Sequence, residues 1–216
     1  MSLKDSVKDA LIEQLEKLEG RINHFYLDSV GAVVIGINHQ VASEDAAADL
    51  PLYIPRMFNW WLRRATAEEK RAEYQFVQLN GPDNPRRFKA SYYKQFTRLI
   101  MLDDDIDALL LKHINNCYQE LEQLYNRQNG FQSNFDEFPD EVQLALFDMI
   151  FHLGMTNLRT SWPKFNGAIK IEDWKTAAAE SRRRQVSPVR NNYVRDLFLL
   201  AHQKQQGIVE RRSKAS

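Results

Sequence analysis

The chain has few of the residues that staple or wire a fold. Cys117 is its single cysteine among 216 residues, which excludes an intramolecular disulfide and a paired-cysteine metal site. A reducing compartment is then the default place of folding. His24, His113, His152 and His202 show no ligand spacing among them. No glycine-rich phosphate loop or Ser/His/Asp set stands out either, so no metal and no cofactor is expected. Long apolar runs are missing as well. The opening Met1-Ser2-Leu3-Lys4-Asp5 holds no stretch of signal-peptide length, and nothing is long enough to span a bilayer. Membrane insertion is therefore not expected, and a target outside the cytoplasm would require delivery by other means. There is no internal repeat, no low-complexity tract and no net charge, with 29 basic and 29 acidic residues. That neutrality argues against a nucleic-acid partner.

The zero conceals an asymmetry. From Arg159 to the end, 13 Lys+Arg oppose 5 Asp+Glu, leaving 16 basic and 24 acidic residues before it. The C-terminal part faces either something anionic or the acidic part itself. With 44% hydrophobic and 27% charged residues, the composition is that of a globular domain able to bury a sizeable core.

Periodicity supplies the outline. Val7, Leu11, Leu15 and Leu18 recur at helical spacing, and Gly20 suits a left-handed helix end. Over 22–38 the period shortens; Phe25, Val33, Ile35 and Ile37 with Gly31 and Gly36 predict one short sheet. A helical stretch is expected from about Arg56 to Gln78, a break at 80–85, and helix again from about Ser91 to Arg127 in two pieces. Pro139 fits a first helical turn. Val142, Ala145, Leu146, Met149, Ile150 and Leu153, with Leu144, Phe147 and Phe151 opposite, make a helix apolar nearly all round, as a buried core helix is. A short helix centres on Trp174, Ala177 and Ala178. The last starts at Ser187-Pro188, buries Val189, Tyr193, Val194, Leu197 and Phe198, and frays over 206–216.

The chemistry concentrates in Glu19-Gly20, Tyr26-Leu27-Asp28, Gly31 and Ile35-Gly36-Ile37-Asn38-His39. This reads as a helix that stops on a carboxylate, then a hairpin that returns a second carboxylate beside it. The negative end of a helix dipole disfavours an ionised carboxylate, so Glu19 is suited to donate a proton. Asp28, on a more open hairpin, would stay ionised and could activate water. Two such acids can divide the acid and base roles of glycoside hydrolysis. The plainer reading, a helix ending in Glu-Gly and an aspartate in a turn, also fits the spacing.

Glu-Gly followed by Tyr-x-Asp-x-x-Gly-x-x-x-Ile-Gly-x-x-His resembles the active-site hairpin of the phage-type lysozymes, muramidases that cut peptidoglycan glycan strands. Phe147-Asp148-Met149-Ile150-Phe151-His152-Leu153-Gly154 resembles the family's buried central helix, and Trp174-Lys175-Thr176-Ala177-Ala178 the helix after it. Ser181-Arg182 with Ser187-Pro188-Val189-Arg190 resembles its Ser-Arg and Thr-Pro-x-Arg run. The likeness covers residues 8–40 and about 97–200. It implies an α+β, mainly helical lysozyme-like fold in a single domain, 1–216. A small N-terminal lobe (about 20–98) with a short β-hairpin sheet would hold an extension at 41–95. A larger C-terminal helical lobe (about 99–205, with the N-terminal helix) would complete it, with a glycan groove between the lobes.

The resemblance also implies roles. Glu19 would be the general acid and Asp28 the base of an inverting cleavage of the β-1,4 bond between N-acetylmuramic acid and N-acetylglucosamine. Arg190 would hold and tune Glu19, and His39 with Asp105 would be a structural pair tying the hairpin to the interlobe helix. The expected partner is bacterial peptidoglycan, met in the periplasm by a monomer made in the cytoplasm and delivered by phage lysis or a secretion system. A secreted antibacterial effector of this kind would need an immunity protein in its producer. The run Ser181-Arg182-Arg183-Arg184-Gln185 then reads as a solvated face or a contact with anionic cell wall.

Two residues depart from the family pattern. Val34 stands where the family has a threonine whose hydroxyl helps place the hydrolytic water. Valine has that shape without the hydrogen bond, a loss of about two to three decades in rate. Ser29 is a nearby substitute in sequence. Asn38 replaces a glycine and tolerates unusual backbone angles. The extension adds Trp60, Trp61, Arg63 and Arg64, where the tryptophans either stack on sugar or pack the lobe. The alternative function is a weak or inactive lysozyme-like module that binds cell-wall glycan or a protein, with a nucleic-acid-binding helical protein a distant third.

Overall fold

The computed structural model describes residues 3–55, 62–81, 89–184 and 186–215. It is mainly helical with two small antiparallel sheets, an α+β fold. The chain divides into two compact units, Leu15–His113 and Met1–Gln14 with Ile114–Ser216. No described helix is long and apolar enough to cross a membrane.

In the unit 15–113, helix α1 (Asp5–Glu19) ends where Gly20 turns left-handed at φ 75°. Three strands follow, β1 (Ile22–Leu27), β2 (Val33–Gly36) and β3 (His39–Gln40), paired in the order β1-β2-β3. Phe25, Leu27, Val33 and Ile35 are buried. Helix α2 (Glu44–Asp49) is capped by Ser43, and α3 (Ala67–Leu79) by a capping box between Thr66 and Glu69. Tyr74 of α3 meets Phe25 edge-on at 6.2 Å and donates its hydroxyl to the Val41 carbonyl at 3.3 Å. A 3-10 helix (Ala90–Phe96) lies on β1, with His24 Nε2 on the Ala90 carbonyl at 3.0 Å. Glu73 accepts from the backbone N–H groups of Arg98 (2.6 Å) and Leu99 (3.1 Å), tying α3 to the segment beyond that helix.

This unit also holds a sheet that periodicity does not reveal. Strand β4 (Leu52–Pro55) pairs with β5 (Leu62–Arg64) and with β6 (Ile100–Met101), in the order β5-β4-β6. The helix expected from Arg56 therefore starts eleven residues later, at Ala67, because Thr66 caps it there. Residues 56–61, with Trp60 and Trp61, and 82–85 of the expected break lie outside the described residues. Arg63 pairs with Glu69 at 2.6 Å, and Arg64 is exposed.

In the unit of 3–14 with 114–215, the central helix is α5 (Asp140–Leu153), whose residues from Ala145 to Ile150 are all buried. Helix α4 (Asp103–Leu124) leads towards it. Short helices α6 (Met155–Thr160), α7 (Pro163–Lys170) and α8 (Trp174–Glu180) follow, and α9 (Pro188–Ala215) closes the chain. Aromatic rings knit the core: Trp174 stacks on Phe198 at 6.4 Å and meets Phe138 at 5.6 Å, and Phe198 meets Phe165 at 5.6 Å. Each such ring contributes about 1.5–3 kcal/mol by burial alone. The buried stripe of α9 is Val194, Phe198 and Ala201. Val189, five residues before Val194, falls on another face and is exposed, against expectation. The helix also runs through Ala215 instead of giving way at Gln206, consistent with the helix-favouring Gln, Glu, Arg and Lys of its tail.

Burial lowers the pKa of His24, His39, His113 and His152, with nearby cations adding to the effect at three of them. A lowered histidine favours the neutral form in the folded state. Its stabilisation is complete above the ordinary value of 6.5 and is lost as pH falls through the lowered values. Urea midpoints measured from pH 8 down to pH 5 should therefore hold steady to about 6.5 and then decline.

Candidate active site

Both candidate carboxylates belong to the unit 15–113. Glu19 is the last residue of α1 and is half-buried. Its helix end is clamped by Arg21, whose guanidinium pairs with Glu16 and with Asp107 and donates to the Asp103 carbonyl at 3.3 Å. Glu19 is thereby placed by the start of α4 as well as by its own helix.

Asp28 opens the turn between β1 and β2. Its Oδ1 accepts from the backbone N–H of Val30 and of Ala32, both at 2.9 Å. The chain closes beneath it through Asp28 N–H to the Ala32 carbonyl at 2.9 Å and Gly31 N–H to the Asp28 carbonyl at 3.2 Å. Gly31 takes φ 86°, which few other residues would accept. This is an Asx turn: the side chain substitutes for backbone and is fixed by it. Oδ1 anchors the group, and Oδ2 keeps no hydrogen bond among the described residues.

Register decides what stands beside it. Tyr26 pairs with Val34, and Leu27 with Val33. Paired residues share a face and alternate residues along a strand return to it, so Tyr26, Asp28 and Val34 lie on one face. Leu27, Val33 and Ile35 turn to the other. Burial, together with the charges of Glu19 and Asp28, pushes the Tyr26 phenol up to about 12. Val34 is only 1% exposed, and Ser29 is exposed in the turn. Asn38 takes φ 53°, the left-handed conformation expected of a glycine substitute.

The expected pair of His39 and Asp105 is not among the contacts of the described residues. The His39 ring instead meets His113 edge-on at 6.5 Å, with its Nδ1 buried. The reason is the helix stripe that α4 presents to the hairpin. Ile106 and Leu109 face Gly36, and the next residue along that stripe is His113, two turns beyond Asp105. Asp105 sits with Asp103 and Asp104 in the first turn of α4, where the helix dipole favours acidic side chains.

Arg190 belongs to the other unit. Its Nε donates to Asp148 Oδ2 at 2.8 Å, and Arg183 approaches Asp148 Oδ1 at 2.6 Å while donating to the Asp148 carbonyl at 3.1 Å. All three side chains are buried. The middle arginine of the basic run is thus a core residue, while Arg182 and Arg184 are exposed. Sequence reading missed this cluster, although a signal was present: Asp148 is the one carboxylate in the interior of an apolar helix. Among the described residues, no group of three His, Cys, Asp or Glu could hold a metal ion.

No protein-family model matches the chain, and comparison with curated proteins finds no match.

Removing Asp148 would leave two guanidinium groups buried without their shared carboxylate. Asp148→Ala should destabilise the fold by about 3–5 kcal/mol, read as a fall in urea midpoint, whereas Arg184→Ala should leave the midpoint unchanged.

Proposed function

We propose that this chain is a peptidoglycan hydrolase of the phage-lysozyme type. It cleaves the β-1,4 bond between N-acetylmuramic acid and N-acetylglucosamine, with Glu19 as acid and Asp28 as base. The observation that carries the reading is the pair of differently held carboxylates in one unit, one at a helix end and one locked by an Asx turn on the sheet face of Tyr26. In the proposed step, a water on Asp28 Oδ2 attacks the anomeric carbon and forms the new C–O bond. The glycosidic C–O bond breaks, the Glu19 proton passes to the leaving oxygen, and the proton of the water passes to Asp28. Inversion follows from attack on the face opposite the leaving group. Arg190, steadied by Asp148, is the residue of the other unit that the family likeness assigns to Glu19.

One observation favours a second reading. Val34 shares the face of Asp28 and offers a reacting water nothing to bond, as in a module that binds glycan without cutting it. The substrate lies outside the cytoplasm, so an effector version would need delivery and an immunity protein in its producer. Failure to isolate any inhibitor of this chain from a producing cell would count against that version alone.

The deciding experiment is mass spectrometry of fragments released from purified peptidoglycan by wild type and by Glu19→Gln. Wild type should release fragments with N-acetylmuramic acid at the reducing end. Glu19→Gln, folded with a similar melting temperature, should release none. Binding of intact glycan by both proteins without release would establish the second reading instead.

A further inference from the structure

A nucleophilic water in an inverting site has to be held twice: by the base, and by a second group that fixes where its lone pair points. Asp28 Oδ2 offers the first hold. The second must come from the sheet face that Asp28 shares, and the register names the candidates. Tyr26 pairs with Val34, and Val34 in turn pairs with Gln40 on β3, so the three form one row across the sheet. The Val41 N–H on the Val33 carbonyl at 2.8 Å continues the same register beyond Gln40. The middle of the row is hydrocarbon. At one end, Tyr26 is half-buried. At the other, Gln40 is exposed, and its carboxamide makes no hydrogen bond among the described residues. Adjacent strands lie about 4.8 Å apart, a distance that a glutamine side chain can span. The carboxamide carries both donor and acceptor and can serve the water in either orientation.

We propose that Gln40 is the positioning residue for the hydrolytic water, reaching across Val34 to fill the role that a side chain at position 34 cannot. This rests on the muramidase reading. It also explains how a fully apolar side chain can stand beside the base of a working site: the polar contact has moved one strand along the row. A hydroxyl at position 34 and the amide at position 40 would then be interchangeable.

Four proteins test it on purified glycan strands: wild type, Gln40→Ala, Val34→Thr and the double variant. Gln40→Ala should lower kcat about 100-fold, with KM within about twofold and an unchanged melting temperature, since the residue is exposed. Val34→Thr should gain little in the wild-type background and should restore most of the lost rate in the Gln40→Ala background. That non-additivity is a result a merely structural role would not give. An unchanged kcat in Gln40→Ala would overturn the proposal, and so would a Val34→Thr gain of equal size in both backgrounds. A collapse of kcat in Tyr26→Phe that Val34→Thr rescues would assign the role to the other end of the row. Wild-type hydrolysis with any of these results leaves the muramidase reading standing. No hydrolysis by wild type or Val34→Thr removes both.

Discussion

A β-hairpin has two faces, and its register decides which side chains share one. Everything assigned to the unit 15–113 depends on that register. A slip of one residue between β1 and β2 would bring Val33 or Ile35 to the face of Asp28 in place of Val34. Several features hold it. The Asx turn of Asp28 fixes the loop end, and Asn38, in its left-handed conformation, fixes the opposite turn. Phe25 and Ile35, both fully buried, hold it through their packing in the core. The same bonds that orient one oxygen of Asp28 therefore also set the strand pairing, so geometry and chemistry are coupled in a single turn.

In the other unit the organising interaction is ionic and internal. One carboxylate, Asp148, is shared by Arg183 and Arg190, with all three side chains at most 9% exposed. Buried ion pairs add little net stability compared with apolar packing, yet they penalise any arrangement that separates them. Here they join α5, the turn after α8 and the start of α9. Surface pairs such as Arg195 with Asp196 are worth at most about 1 kcal/mol. Part of the C-terminal excess of basic residues is thus consumed inside the protein, which weakens the inference that the whole excess meets an anionic partner.

Local signals were legible. Glu19 followed by Gly20 marked a helix stop, the shift to period two marked the first sheet, and the apolar run from Val142 to Leu153 marked the central helix. What escaped was either very short or non-local. Strand β6 is two residues and β5 reads Leu-Arg-Arg, too little for alternation to register. The Thr66-x-x-Glu69 capping box was readable and overlooked. Arg183 looks like its neighbours in the basic run, and its fate is set by a carboxylate 35 residues away. Gln40 carried no motif; only strand pairing gives it a place. The neighbour that His39 meets, His113, was likewise not legible, because the helix stripe facing Gly36 is set by packing at Ile106 and Leu109.

The second sheet has an architectural consequence. Leu52 lies opposite Met101 and Tyr53 opposite Ile100, so the long extension leaves and re-enters the unit at one place. Segments whose ends are already neighbours can lengthen or shorten at little entropic cost, because closure of the loop is settled at its base. Other parts of that stretch are held to β1, where Tyr74 of α3 meets Phe25 and the 3-10 helix takes the His24 ring on the Ala90 carbonyl. The stretch between β4 and β6 is thus anchored at its base by strand pairing, so changes in its length would leave the hairpin of β1 and β2 undisturbed.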